Sequence, residues 1–281
     1  MNAPILVIGQ SGQLARALVR RSEDAGTASR KDLDLSDLAD VFKANLEALI
    51  DQHSPRGIIN AAAFTHVDLA ETNRDLAFRV NADAPAVIAQ VCADQDIPFV
   101  HISTDYVFDG RQTRPWQETD PTGPLNVYGD SKRAGELGVQ AAGGTAVILR
   151  TSWVYDLDGR NFVTTMLRLA ETHDEFRIVD DQIGRPTHAD VLAEAALAAL
   201  GHHGIFHVSG TGDAVSWADF AKAIFDIADQ DVTVTPIPSS EYPTAASRPP
   251  YSVLDTSKFE TKISALPDWR VTLRDAFTQT G

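Results

Sequence analysis

A chain of 281 residues can bury a substantial core, as one large α/β domain or as one domain with a smaller lobe. Hydrophobic residues make up 43% and charged residues 22%, an ordinary globular balance, while the net charge of −15 argues against nucleic acid as a partner because no basic face is left to neutralise phosphates. The same acidity means that cations serving an anionic ligand must be gathered where that ligand binds.

Residues 4–9 form a short apolar run ending at Gly9, the pattern of a buried parallel strand, and a helix is predicted directly behind it over 13–21. Gly9, Gly12 and Ala15 space a Gly-x-x-Gly-x-x-Ala turn that also holds Gln10, Ser11, Gln13 and Leu14. Glycine permits the tight turn and lets backbone N–H groups approach a pyrophosphate at a helix N-terminus. An ordinary strand-to-helix turn would use the same glycines, but the place behind the first buried strand favours a dinucleotide. Ser29, Arg30 and Lys31 come where the second strand should end. Basic residues there accommodate a 2′-phosphate, whereas an acidic one binds the ribose diol. The segment therefore favours NADPH, leaves NADH possible, and could equally be a solvated loop; Asp34 and Leu35 would border the adenine.

A third strand is predicted over 57–60. Ala61, Ala62 and Ala63 behind it are small enough for a cofactor to lie flat against the sheet edge, and for close packing. Helix 84–94, strand 99–103, helix 128–140 and strand 146–150 continue the alternation, which implies βαβ units and a Rossmann-like, doubly wound parallel sheet. Beyond Thr151 the rhythm loosens into helices over 161–171 and 189–200, a strand over 204–209 and a helix over 216–225 capped by Ser216. The proline-rich stretch 236–250 reads as an ordered loop over a site. We divide the α/β chain into a nucleotide-binding domain over 1–150 and a smaller, partly discontinuous substrate lobe over 151–281, some of whose segments return to the first domain.

Cys92 has no partner for an internal disulfide and reads as a small buried helix residue. His202 and His203 sit on a glycine-bounded turn, without zinc-site spacing. No apolar run approaches the ~20 residues of a membrane span, and no secretory signal opens the chain, so the expected location is the cytoplasm, without a membrane partner.

The chemistry concentrates at Ser103, Thr104, Tyr128 and Lys132. Ser103 and Thr104 end an apolar strand, and Tyr128 and Lys132 stand four apart, on one face of a helix. A free tyrosine has a pKa of about 10, and a fixed ammonium beside it would bring the phenol closer to working range for proton transfer to a carbonyl oxygen. Coincidence on an amphipathic helix would give the same spacing.

With these pieces placed, the chain resembles the extended short-chain dehydrogenase/reductases and, within them, the dTDP-4-dehydrorhamnose reductase family. The resemblance runs nearly its whole length. It rests on Asn60 to Asp68, on the Ser-Thr-Asp-Tyr-Val-Phe segment from Ser103 to Phe108, and on Pro124 to Lys132. The Arg-Thr-Ser-Trp-Val-Tyr segment from Arg150 to Tyr155, Asp181 to Thr187 and Ser247 to Pro249 complete it. The resemblance implies reduction of the C4 ketone of dTDP-4-dehydro-β-L-rhamnose by NAD(P)H, the last step of dTDP-L-rhamnose biosynthesis. It implies that Thr104 hydrogen-bonds the ketone, Tyr128 donates the proton, and Lys132 positions the nicotinamide ribose while lowering the Tyr128 pKa. Thr65 would touch cofactor and substrate, and Val67, Asp105, Tyr106 and Trp153 the sugar, although Trp153 could equally be core. Arg248 is the candidate ligand of the diphosphate, because guanidinium forks match phosphate oxygens.

Some members bind magnesium through acidic side chains at a dimer contact. Here Asp190 is in a suitable region but Ala17 stands where a carboxylate is wanted, so no metal and a monomer or weak homodimer are expected. Two other readings remain: a 4-ketoreductase for another dTDP-6-deoxysugar, and a non-catalytic nucleotide-binding subunit, which the presence of Thr104, Tyr128 and Lys132 disfavours.

Overall fold

Six parallel strands form the central sheet of the computed structural model, which describes residues 3–279. In spatial order they are Gly204–His207, Ala146–Thr151, Phe99–Thr104, Gly57–Asn60, Ile5–Ile8 and Ala25–Ala28. Ile5–Ile8 and Gly57–Asn60 are buried on both faces, which is why they read as unbroken apolar runs. Side chains alternate across the sheet. Val7, Ile59, Val100, Val147 and Leu149 meet helices Gln13–Arg21 and Ala189–Ala199 on one face. Leu6, Ile8, Ile58, Phe99 and Ile148 meet helices Ala39–His53 and Ala84–Asp94 on the other. Cys92 lies in that second layer, where burial pushes its thiol up to about 12.

Chain direction fixes where a ligand can sit. Ile5–Ile8 is flanked by the second strand on one side and the third on the other, so the winding reverses at its C-terminal end. A crevice opens at such a switch point, and Gly9 stands in it.

The later part of the chain builds a second core around Tyr155, Val163, Phe220, Ile224 and Trp269. Helix Trp217–Ile227 starts where expected, with Ser216 Oγ accepting the Asp219 N–H at 3.0 Å. Two strands depart from the apolar pattern. Thr233–Ile237 pairs in parallel with Glu175–Val179, although it contains Pro236 and begins the stretch expected as loop. A two-stranded sheet has only edges, where a proline can avoid the ladder. Ala25–Ala28 lacks an apolar run and is held through its backbone to Ile5–Ile8. Among the described residues no helix is long and apolar enough to cross a membrane.

Candidate active site

Helix Val127–Ala142 brings the candidate side chains Tyr128 and Lys132 to the sheet. Asn126 caps it, with Oδ1 accepting the Gly129 N–H at 2.8 Å, and its Nδ2 donates to the Ser247 carbonyl at 2.7 Å. The helix presses close: a Cβ on Gly129 would fall 2.2 Å from the Tyr106 carbonyl oxygen, and one on Gly135 would fall 2.1 Å from that of Asn81. This approach sets Tyr128 against the end of strand Phe99–Thr104. The Tyr128 hydroxyl faces Thr104, and its ring meets Tyr106 edge-on at 5.8 Å between centroids. Thr104 Oγ1 also accepts the Tyr106 N–H at 3.2 Å and donates to Asp105 Oδ1 at 3.0 Å.

Burial dominates the electrostatics here. It pushes the Tyr128 phenol up to about 12, with the neighbouring Thr104 hydroxyl opposing and the Asp105 charge adding. Asp105 itself is pushed up to about 6 by burial. Lys132 falls to about 8 for the same reason, Glu136 resisting. The sequence reading had Lys132 lowering the Tyr128 pKa. Here Lys132 Nζ donates to the Ile102 carbonyl at 2.6 Å, and burial leaves the phenol raised. The pair shares a helix face as expected, but helix spacing does not say which neighbour the ammonium chooses.

A buried ion pair supports this surface from behind. Glu136 accepts from Arg150 Nε at 2.8 Å and Nη2 at 2.7 Å, from Ser103 Oγ at 2.6 Å and from Arg133 Nη1 at 3.0 Å. Glu136 and Arg150 are 0% and 1% exposed. Sequence reasoning singled out neither partner as a support; the available signal was an arginine closing an otherwise apolar strand.

At the dinucleotide end, Gly9 has φ +115°, a conformation L side chains rarely adopt, and Gly12 caps helix Gln13–Arg21 with no side chain of its own. A Cβ on Gly9 would come within 3.4 Å of the Ala62 nitrogen. First-turn N–H groups lack partners inside a helix, so this bare turn fits a pyrophosphate. Gln10, Ser11 and Gly12 are exposed beside it, Gln13 is half-buried, and Leu14 turns into the core. Ala61, Ala62 and Ala63 lie half-buried next to Gly9. Asn81, which sequence reasoning missed, ties the next residue down. Its Oδ1 accepts the Phe64 N–H at 2.8 Å, and its Nδ2 donates to the Phe64 carbonyl and to Ser131 Oγ, both at 3.0 Å. Arg30 and Lys31 are exposed, Arg30 Nε pairing with Asp34 at 2.9 Å. Leu35, expected beside the adenine, packs instead in the core under the second strand.

The opposite wall carries the remaining candidates. Thr65 is exposed, and Val67 begins the short helix Val67–Ala70. Arg248 grips Asp68 of that helix with two bonds, Nη2 to Oδ2 at 2.7 Å and Nη1 to Oδ1 at 3.2 Å. The carboxylate also accepts the Ala246 N–H at 2.9 Å, so the proline-rich loop is fastened across the site. Trp153 takes a left-handed φ of +48° and stacks on Trp217 at 3.6 Å. Only glycine fits opposite it, because a Cβ on Gly184 would lie 2.5 Å from the indole. Trp217, which sequence reasoning did not single out, is thus part of the same aromatic wall. Asp190 is bonded to Arg20 at 2.7 Å, and Arg20 also holds Asp156 at 2.9 Å. A guanidinium already stands between these carboxylates, so they do not fit a metal ion.

A sequence model described as the RmlD substrate binding domain matches residues 1–281. A dTDP-4-dehydrorhamnose reductase of Sinorhizobium fredii is 40% identical, over 96% of this chain and 95% of that one. The chain belongs to the dTDP-4-dehydrorhamnose reductase family. The crystal structure of such a reductase from Clostridium acetobutylicum superposes with a TM-score of 0.93 at 36% identity, covering 99% of both chains. Another family member, from Bacillus anthracis in complex with NADP, gives 0.92 at 34% identity over 99% of this chain and 100% of its own.

Proposed function

We propose that this reductase converts the C4 ketone of dTDP-4-dehydro-β-L-rhamnose to the alcohol with NADPH. The observation that carries the reading is the meeting of Tyr128 with Thr104 at the end of strand Phe99–Thr104, with Lys132 one turn further along the helix. A bound nicotinamide supplies the hydride. The protein's own part is to place the ketone oxygen between the Thr104 and Tyr128 hydroxyls and deliver the Tyr128 proton as negative charge develops there. A phenol held near 12 is fully protonated at neutral pH, which suits an acid. Asp105, Tyr106 and the Trp153–Trp217 stack orient the sugar. The direct test is NADPH oxidation with the 4-keto-6-deoxy dTDP-sugar and the upstream 3,5-epimerase, followed by product identification. No oxidation, or a product epimeric at C4, would redirect the reading to another 4-ketoreductase.

The NADPH preference is supported by two exposed cations, Arg30 and Lys31, just past the end of the second strand. Replacing both with Ala should weaken NADPH much more than NADH, since only the former brings a 2′-phosphate for them to bind. Cofactor titrations showing equal losses would remove the basis of the preference.

Arg248 is the proposed diphosphate ligand. It is held by Asp68 in a position where its loop already crosses the site, so little ordering is left when a ligand arrives. Arg248→Ala is expected to raise the KM for the dTDP-sugar roughly tenfold or more, the loss of a charge-assisted bond of ~1.5–3 kcal/mol. NADPH affinity should scarcely change. An unchanged sugar KM would assign Arg248 to fastening the loop alone.

A further inference from the structure

Two buried side chains from neighbouring strands stand in line behind Lys132, and the chemistry above uses neither. Asn60 ends one strand at 1% exposure and His101 lies in the next at 0%. Asn60 Oδ1 accepts the Ala62 N–H at 3.2 Å, which turns its Nδ2 toward His101 Nδ1 at 3.4 Å. On the other side of the ring, His101 Nε2 lies 3.4 Å from Lys132 Nζ. Lys132 Nζ donates in turn to the Ile102 carbonyl.

Donor and acceptor rules decide the protonation of this line. A carboxamide NH₂ only donates, so Nδ1 must accept and the single proton of the neutral ring sits on Nε2. An ammonium also only donates, so a charged Lys132 and the Nε2–H would point protons at each other. A neutral amine has a lone pair to receive Nε2–H while still donating to Ile102. Every polar atom in the line is satisfied only when Lys132 is uncharged.

We propose that His101 is a positioning residue of the reduction, locked by Asn60 as the Nε2–H tautomer so that it supports the neutral amine of Lys132 and keeps that lysine ready to release a proton toward Tyr128. The proposal rests on the reductase reading. In each turnover Tyr128 loses its hydroxyl proton to the ketone oxygen, while the carbon gains the hydride from the reduced nicotinamide. One ammonium proton of Lys132, relayed across the gap to Tyr128 rather than passed in direct contact, returns the phenolate to phenol, and the resulting amine takes the Nε2–H bond. Solvent restores the proton to Lys132.

Burial works in the same direction, lowering both the Lys132 ammonium and the His101 imidazolium. Glu136, one turn along the helix, opposes it by favouring the ammonium, and Arg150 and Arg133 hold that carboxylate in turn.

Nitrogen NMR on the histidine-labelled parent enzyme reads the tautomer directly and needs no turnover. A bare Nδ1 and a protonated Nε2 are expected for His101; a protonated Nδ1, alone or with Nε2, overturns the proposal. Failure of the reductase reading would show separately, as a parent inactive on the dTDP-sugar. The second experiment is Asn60→Leu, which removes the lock without changing charge and lets the ring turn its acceptor to the ammonium. In the parent, kcat/KM should fall as pH rises through about 8, where Lys132 loses its proton. In Asn60→Leu that limb should move up by about one unit, the equivalent of tenfold in proton affinity, with kcat lowered and the sugar KM little changed. A folded variant whose limb stays in the parent's place overturns the proposal, and if the variant does not fold the nitrogen spectrum decides.

Discussion

Tyr128→Phe should lose most of its turnover, roughly 10²–10⁴-fold in kcat, the usual share of a general acid. The ring that packs edge-on against Tyr106 remains, so the fold and the position of the helix should be kept. The lost atom is the hydroxyl that faces Thr104 at the strand end. Cofactor affinity should stay within a few-fold of the parent, because the cradle at Gly9 and Gly12 is untouched. Steady-state rates on the dTDP-sugar, with cofactor binding measured alongside, test this. A Phe variant with parental kcat would take the proton-donor role away from Tyr128.

Arg150→Leu is expected to cost about 3 kcal/mol of folding stability, the lower end of the range for removing one member of a buried pair. Glu136 would be left at 0% exposure with only Arg133 and Ser103 as polar partners. The guanidinium also lies over the Phe108 ring, 5.0 Å from its centroid, so packing is lost with the charge. A thermal midpoint lower by roughly 5–10 °C is the expected readout. The double variant Glu136→Leu with Arg150→Leu should recover part of the loss, because no buried charge is then left alone. A single variant within about 1 kcal/mol of the parent, the level of an exposed pair, would show that Arg133 alone satisfies Glu136.

The sheet was legible where its strands are buried on both faces. The runs ending at Gly9 and Asn60 could be read without partners, because burial on two sides forces continuous apolar sequence. Ala25–Ala28 and Thr233–Ile237 were not legible in the same way. Their ladders are backbone bonds, which any side chain permits, and one of them tolerates Pro236 because it has no second neighbour.

The site divides similarly. Sequence determined that Tyr128 and Lys132 share a helix face, that glycines open the first turn, and that Thr104 closes a strand, since helical spacing and local conformation are properties of a short segment. Only the tertiary structure decided which groups those side chains meet. Lys132 bonds Ile102 and faces His101, Glu136 finds Arg150, Arg248 grips Asp68, and Trp153 finds Trp217. These partners lie on different strands, helices and loops, and a titratable group's state depends on its burial and on those distant neighbours more than on its own segment. The residue types that perform the chemistry were therefore visible along the chain, while the proton positions on which it depends came from packing.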